Sequence, residues 1–180
     1  MAKLIYGATM SLDGFIAGPG GDMSWMTAYL GPDPAVDDLI GEIGALLVGK
    51  RTFVGDDPHS GTEAEGKAFG GGWEGPQIVL THHAPEVPVP GVTFVGDLDE
   101  AVTAAKAAAG DKHVNVLGAD VARQCFGKGL IDELFVGIAP VLLGDGVRLF
   151  EQPGGAQVRL ERTGLSLTAH ATNLRLRVAQ

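Results

Sequence analysis

Apolar and polar positions alternate in short blocks along the chain, and most blocks end at glycine, proline or aspartate. The run KLIYGATM, residues 3–10, and the run ALLVG, residues 45–49, are apolar enough to predict buried strands. Between them, DPAVDDLIGEIG, residues 33–44, opens with a capping aspartate and places aliphatic side chains on one helical face. This part of the chain therefore predicts a strand, a helix and a second strand.

The middle of the chain repeats this order of elements. The segment DLDEAVTAAKAAA, residues 97–109, predicts the clearest helix, because Asp97 can cap its start and Gly110 can close its end. The run HVNVLG, residues 113–118, predicts another buried strand, and ADVARQCFGKG, residues 119–129, predicts a helix directly after it.

The remaining segments predict short strands and one long loop. QIVL, residues 77–80, and VTFV, residues 92–95, have strand composition, and DELFVGIAPVLLG, residues 132–144, predicts a long strand. Residues 157–180 show strand periodicity on both sides of a polar turn, which predicts an antiparallel hairpin. Residues 55–75 are rich in glycine and acidic side chains without periodicity, so we expect a surface loop of possible functional importance.

The order of these elements predicts the fold class. Strands and helices alternate for most of the chain, and strands alone follow. We expect an α/β fold of three layers, with a mostly parallel mixed sheet and an antiparallel C-terminal hairpin. The chain has 180 residues and 45% hydrophobic content, enough to bury one sizeable core, so we expect a single domain over residues 1–180.

Composition excludes several classes of protein. No window approaches about eighteen uninterrupted apolar residues and no signal-peptide pattern is visible, so we expect no membrane association and a cytoplasmic location. The formal net charge of -9 argues against a general nucleic-acid binder, which needs a cationic surface. The single cysteine, Cys125, cannot form an internal disulfide or a cysteine-rich zinc site.

The turn GKRT after the second strand is the first candidate binding site. Gly49 ends the strand, and a helix that starts there exposes free backbone N–H groups. Lys50 and Arg51 add positive charge and Thr52 adds a hydroxyl, a set of donors that can hold a phosphate. A solvated basic turn would explain the same residues equally well.

The strand, turn and helix in VNVLGADVARQCF form the second candidate. Gly118 lets a ligand approach the backbone, and the helix start offers the N–H groups of Ala119, Asp120 and Val121. The dinucleotide fingerprint G-x-G-x-x-G is absent, which disfavours a typical Rossmann domain. Ordinary packing of a helix on a strand remains the alternative.

The sequence LTHHAP contains the third candidate. Thr81, His82 and His83 follow a predicted strand, where adjacent histidines point to opposite sides and no third ligand lies nearby. We therefore expect no metal site. The hydroxyl and imidazole groups could instead contact a phosphate.

Four of these segments, taken in order, resemble a known family. SLDGFIAGPGGDMSW, LLVGKRTF, IVLTHH and VNVLGADVARQCFGKGLIDELFVGIAPVLLGDGVRLF are similar to segments of the dihydrofolate reductase fold. The resemblance is closer to the reductase domain of riboflavin biosynthesis and its stand-alone bacterial relatives. It extends from Lys3 to about Phe150.

The resemblance implies an NADPH-dependent oxidoreductase and assigns roles to the candidate residues. Thr52 with the turn at Gly49 and Lys50 would hold the pyrophosphate and adenosine side, and Gly118 to Val121 would contact the pyrophosphate from the other side. Thr81 and His82 would approach the 2′-phosphate, with Arg51 and His83 as further donors. Ile16, Ala17 and Gly18 of the first loop would line the nicotinamide.

The resemblance also implies a small pterin-like or pyrimidine-like substrate and a carboxylate that helps to protonate it. Asp38, or its neighbour Asp37, can be proposed for that position, although both could be on a solvated helix face. Asp13 is a second candidate that could instead cap a turn, and Trp25 would anchor the far end of the first loop. The deaminase half of the bifunctional riboflavin enzymes is missing.

Two further expectations concern activity and assembly. The alternative to an enzyme is a catalytically silent NADPH-binding or nucleotide-binding module that acts as a sensor or assembly partner. Apolar strands late in the chain, beyond the helices that would cover them, predict self-association. We expect a homodimer built partly from Leu134 to Leu143 or from the final hairpin, as the related reductase domains are commonly dimers.

Overall fold

A mixed eight-stranded sheet forms the centre of the computed structural model, which describes residues 2–151 and 153–179. Its strands are β1 (Leu4–Ser11), β3 (Ile43–Gly49), β4 (Gln77–Leu80), β5 (Val92–Val95), β6 (His113–Leu117), β7 (Glu133–Ala139), β9 (Leu160–Leu167) and β10 (Thr172–Val178). A separate small sheet pairs β2 (Phe15–Ala17) with β8 (Val147–Arg148). The large sheet has the order β5-β4-β3-β6-β1-β7-β10-β9 and is parallel from β5 to β7. The antiparallel hairpin of β9 and β10 completes it, as the sequence predicts.

Helices cover both faces of this sheet. They are α1 (Pro34–Glu42), α2 (Lys50–Val54), α3 (Leu98–Ala109) and α4 (Ala119–Gly127). Helices α3 and α4 pack on one face in a core shared with Leu4 and Tyr6 of β1, whereas Leu39 of α1 packs on the other face against Ile5. The predicted three-layer α/β fold is therefore confirmed. No helix among the described residues is long and apolar enough to span a bilayer.

The helix starts follow from local capping chemistry. The Asp97 carboxylate accepts hydrogen bonds from the backbone N–H groups of Asp99 and Glu100 at 2.8 and 3.0 Å. The Asp33 carboxylate accepts one from the N–H of Ala35 at 3.1 Å. Each aspartate satisfies N–H groups that have no acceptor inside the helix, so both predicted caps are confirmed.

Three boundaries differ from the sequence prediction. Strand β7 ends at Ala139 instead of continuing to residue 144, because Pro140 has no N–H to donate to a neighbouring strand. Helix α1 stops at Glu42, and Ile43 already belongs to β3. The pairing of β2 with β8 is not predicted either, because strands of two or three residues show no periodicity.

The position of β7 corrects one part of the predicted self-association surface. Strand β7 lies inside the sheet between β1 and β10, and Leu134 is only 1% exposed, so the start of the segment from Leu134 to Leu143 cannot contact another chain. The sheet has two edge strands, β5 and β9, and β9 belongs to the C-terminal hairpin. Its side chains Leu160, Leu165 and Leu167 are 42%, 56% and 73% exposed. The hairpin therefore remains the candidate surface.

An ionic cluster holds the amino-terminal ends of β1 and β7 to β10 and α1. Arg175 donates two hydrogen bonds to Glu42 at 2.7 and 2.6 Å and one to Glu133 at 3.0 Å, and Lys3 also donates to Glu133. Burial disfavours the charged form of Glu133, but the hydrogen bonds from Lys3 and Arg175 outweigh it and hold the pKa of this carboxyl below its usual value. The cluster thus stabilises the end of the sheet opposite the cleft described next.

Candidate functional site

A cleft of about 2100 Å³ opens at the carboxyl ends of the parallel strands. Open α/β sheets bind ligands at this edge. Helices α2 and α4 begin directly after β3 and β6, so their first N–H groups point toward the opening. Most residues proposed for cofactor binding line this cleft: Ile16, Ala17, Gly18, Gly49, Lys50, Arg51, Thr52, Thr81, His82, Gly118, Ala119, Asp120 and Val121.

Two turns that are far apart in sequence meet on one side of the cleft. A methyl group on Gly118 would lie 2.4 Å from the hydroxyl oxygen of Thr52, and Gly118 has a φ of +103°. Only glycine adopts this conformation readily and leaves this space. The hydroxyl of Thr52 therefore lies beside the first turn of α4, where the backbone N–H groups have no helical acceptor. This is a suitable geometry for binding an anion such as a phosphate.

The side chain of Asp120 is engaged within α4. Its carboxylate accepts hydrogen bonds from Arg123 at 2.7 Å and from Gln124 at 3.2 Å. The hydrogen bond from Arg123 is the largest of the effects that lower the pKa of this carboxyl, and partial burial opposes it. Asp120 can thus offer its backbone N–H to the cleft while its negative charge is partly balanced.

Only some of the residues predicted to bind the 2′-phosphate lie at the cleft. Thr81 and His82 line the cleft, but His83 does not. The hydroxyl oxygen of Thr81 accepts a hydrogen bond from the N–H of His83 at 3.1 Å, which fixes the local turn. The described residues contain no group of three or more side chains that could hold a metal ion.

The first loop forms a second wall of the cleft and is held by the turn at residues 144–146. A methyl group on Gly146 would lie 2.0 Å from the carbonyl oxygen of Ala17 and 2.9 Å from the Cα of Gly18. The pairing of β2 with β8 brings these segments together. Ala17 and Gly18 therefore take their position from a turn more than a hundred residues later in the chain.

Asp13 lies outside the residues that line the cleft and supports this wall. Its carboxylate accepts hydrogen bonds from the Ser11 hydroxyl at 2.6 Å and from the N–H groups of Leu143 and Gly144 at 3.1 and 2.7 Å. The hydrogen bond from Ser11 is the main effect that lowers the pKa of Asp13 to about 2. This geometry favours the turn-capping alternative over proton donation, because the carboxyl holds no proton at neutral pH.

Trp25 lies in a short 3₁₀ helix, Ser24–Tyr29, that follows the first loop. Its ring centroid is 6.1 Å from that of Tyr29, which lines the cleft whereas Trp25 does not. The indole N–H of Trp25 is buried and finds no acceptor among the described residues. The geometry favours an anchoring role for Trp25 at the end of the loop over contact with a ligand.

The carboxylates of α1 are arranged differently from the sequence proposal. Asp38 is exposed and does not line the cleft, whereas the neighbouring Asp37 does. The cap residue Asp33 also lines the cleft, and its second carboxylate oxygen accepts a hydrogen bond from the Asn173 side chain at 2.7 Å. Asp33, the cap of α1, is thus a carboxylate with a defined side-chain partner at the cleft, whereas its sequence context predicts only a capping role.

Asn173 lies on β10 and forms part of the floor of the cleft. A methyl group on Gly137 of β7 would lie 3.0 Å from the hydroxyl oxygen of Thr9 and 3.1 Å from Oδ1 of Asn173. The missing side chain of Gly137 lets Thr9 and Asn173 converge over β7. The sequence carries no signal for Asn173, because it falls in step with the polar positions Arg175 and Arg177 of the last strand.

Comparison with known proteins places the chain in a family. The profile of the RibD C-terminal domain matches residues 2–173, nearly the whole chain. The chain belongs to the RibD C-terminal domain family. The recognition made from the sequence motifs is therefore confirmed.

Solved structures share the fold of this RibD C-terminal domain. A protein named for riboflavin biosynthesis from Shewanella sp. PV-4 aligns with a TM-score of 0.75 and 24% identity over 100% of both chains. A diaminohydroxyphosphoribosylaminopyrimidine deaminase/5-amino-6-(5-phosphoribosylamino)uracil reductase from Thermotoga maritima aligns with a TM-score of 0.67 and 16% identity, over 99% of this chain and 57% of its own. Dihydrofolate reductase from Enterococcus faecalis, complexed with NADP(H), aligns with a TM-score of 0.64 and 14% identity, over 99% of this chain and 97% of its own. These alignments confirm the predicted dihydrofolate reductase-like fold.

We expect Gly146→Ala to displace the first loop of this RibD C-terminal domain. The new methyl group would collide with the backbone at Ala17, whereas Gly144→Ala in the same turn meets nothing within 4 Å. Both positions have a positive φ, +78° at Gly144 and +137° at Gly146, so both variants lose stability through backbone strain. In urea unfolding, the free energy of unfolding of Gly146→Ala should be about 1–3 kcal/mol lower than that of Gly144→Ala. Gly146→Ala should also shift the amide resonances of Ala17 and Gly18. Equal stabilities and unchanged resonances would contradict the packing described.

Proposed function

We propose that this RibD C-terminal domain is an NADPH-dependent reductase of a small pterin-like or pyrimidine-like molecule, and that the 180 residues act as one domain. The observation that carries the proposal is the convergence of three elements in one cleft. These are the Thr52–Gly118 contact, the first-loop wall at residues 16–18 and the floor with Asp33 and Asn173. The choice of cofactor is supported by the similarity of the fold to that of the Enterococcus dihydrofolate reductase, which is complexed with NADP(H).

The residues of the cleft fit a pyridine dinucleotide phosphate. The space beside Gly118 would be lost with any side chain, and the Thr52 hydroxyl and the first N–H groups of α4 border it. Lys50 and Arg51 supply positive charge at the start of α2, and His82 adds a donor at the end of β4. The starts of α2 and α4 would hold the phosphates, and residues 16–18 of the first loop would contact the nicotinamide.

The chain's own residues would perform three tasks in the reaction: they would position the rings, exclude water and supply a proton. NADPH supplies a hydride when bound. The wall at Ile16, Ala17 and Gly18 positions the two rings and excludes water from the transfer. The substrate's C=N or C=C bond accepts the hydride at carbon and a proton at its other atom. We assign Asp33, oriented by Asn173, to relay that proton from solvent to the substrate.

Cofactor titration tests the proposal directly. The fluorescence of NADPH should change in intensity or wavelength when it binds. NADH should bind at least about tenfold more weakly, because Lys50, Arg51 and His82 offer charged donors to a 2′-phosphate. Thr52→Ala should weaken NADPH binding by about 1 kcal/mol, roughly fivefold in Kd, without a change in thermal stability. Equal affinities for the two cofactors, or a folded Thr52→Ala variant with unchanged Kd, would refute the assignment.

Asp33→Asn tests the proposed proton path. The amide can still cap α1, but it cannot deliver a proton. In a screen of pterins and riboflavin precursors, single-turnover oxidation of NADPH by the best substrate should slow about a hundredfold, with the NADPH Kd unchanged.

Asp38→Asn is the matched control on the same helix, because Asp38 does not line the cleft. It should leave the rate unchanged. Full activity of Asp33→Asn, or an equal loss in both variants, would eliminate Asp33. Binding of NADPH without oxidation by any compound in the screen would favour the catalytically silent alternative.

We also propose that the domain forms a homodimer through β9 and the hairpin. The strand is an unpaired sheet edge that exposes three leucines, and such edges are usually covered in soluble proteins. A stable dimer should bury at least about 1,000 Å² in total.

Light scattering at micromolar concentration should therefore give twice the chain mass of 18.6 kDa. The double variant Leu165→Lys and Leu167→Lys should be monomeric, because like charges would face each other across the edge. A monomeric wild type would refute this assembly.

A further inference from the structure

The cleft has a part that the proposed cofactor residues do not occupy, which we call the distal half. It is walled by the Ser24–Tyr29 turn, α1 and the 56–72 segment. The N–H of Met23 donates to the Asp56 carboxylate at 2.9 Å, and the Thr27 hydroxyl donates to the carbonyl of Pro58 at 3.0 Å. These bonds hold the long acidic excursion against the turn after the first loop, so the excursion is a wall of the site.

Negative charge dominates the distal half. Its lining contains five carboxylates: Asp33, Asp37, Asp56, Asp57 and Glu65. Lys67 is the single lysine or arginine among the described lining residues of this half. Asp57 accepts hydrogen bonds from the N–H groups of His59 and Gly66 at 2.8 and 2.6 Å, which fixes its carboxylate in the wall. The distal half therefore has a formal charge opposite to the one that a phosphate needs.

Two histidines, His59 and His170, also line the distal half, and most of its remaining side chains are apolar or aromatic. Its lining includes Met23, Met26, Tyr29, Leu30, Val36, Ile40 and Phe69. Phe69 has a φ of +52° and is the only non-glycine residue with positive φ among the described residues. It packs in the same core as Trp73 and presents an aromatic side chain to the cleft. Such walls suit a flat ring.

The amide oxygen of Asn173, at the floor of the distal half, has no hydrogen-bond donor among the described residues. Asn173 is 3% exposed, and its amide nitrogen donates to Asp33 and to the Ser166 hydroxyl at 2.7 and 3.2 Å. No hydrogen bond from the described residues reaches its Oδ1, which lies beside Thr9 above Gly137 at the cleft floor. An amide oxygen that is open to a ligand cleft and has no protein donor can accept a hydrogen bond from an N–H of the ligand.

We infer that the distal half selects a flat heterocycle that is neutral or cationic, offers an N–H to Asn173 and carries no phosphate or carboxylate. The inference rests on the proposed function for the identity of this half as the substrate side. An anionic group there would give up its hydration and meet several fixed negative charges in a cleft that concentrates their field. The substrate thus differs in charge from the phosphoribosyl compound named for the Thermotoga reductase.

Uracil and its 6-carboxylate, orotate, form a matched pair of probes, because they differ only in the anionic group. Titration of labelled protein followed by NMR should show saturable shifts of the Asn173 side-chain amide and of Phe69 with uracil. Orotate should bind at least about tenfold more weakly. Equal or tighter binding of orotate would overturn the inference, and so would the absence of saturable shifts with both probes.

Charge reversal on α1 provides the matched variants. Asp37 lines the cleft, so Asp37→Lys should reduce the ratio of the orotate Kd to the uracil Kd by about threefold. Asp38 lies outside the cleft, so Asp38→Lys should leave this ratio unchanged. An equal effect of both variants would mean that the overall charge of the protein causes the selectivity, and it would refute a local site.

The titrations need no cofactor, so a protein that prefers uracil but binds no NADPH would refute the reductase proposal alone. A protein that binds NADPH and prefers orotate would refute this inference alone.

Discussion

The close approach of backbone segments at the carboxyl edge of the sheet is the constraint on which the rest of the site depends. Gly118 makes room for Thr52, Gly146 makes room for Ala17, and Gly137 lets two polar side chains meet. At each of these positions a single methyl group would lie within about 3 Å of another part of the chain. The sheet supplies the alignment, and these glycines let loops from distant parts of the sequence form one cleft.

This constraint explains why parts of the structure could be predicted from the sequence and others could not. The strands of residues 4–11 and 43–49 and the helix after Asp97 could be predicted, because burial and capping leave local patterns. The resemblance of four ordered motifs was enough to predict the family. The pairing of β2 with β8 and the premature end of β7 depend on contacts between distant segments and on one proline.

The residues of the candidate site also fall into those that could be predicted from the sequence and those that could not. The turns at residues 49–52 and 118–121 could be proposed from local chemistry, because a helix start after a buried strand has an inherent affinity for anions. Asp33 was missed because its sequence context explains it fully as a helix cap, and its second partner, Asn173, lies 140 residues away. For Asp13 the sequence left open a catalytic acid or a turn cap, and only the fold shows that backbone donors from residues 143 and 144 occupy its carboxylate.

The two halves of the cleft have opposite electrostatic characters. Cations and free N–H groups lie where the phosphates of a cofactor would bind, and carboxylates lie where a substrate ring would bind. A reductase needs both molecules in van der Waals contact, and opposite preferences for charge would direct each to its own half.

The central claim is that these segments form one NADPH site, and amide chemical-shift mapping of the labelled protein during an NADPH titration tests it most directly. The account predicts saturable shifts, with one common Kd, at residues 16–18, 49–52 and 118–121. Shifts confined to other surfaces, or none at millimolar NADPH, would contradict it.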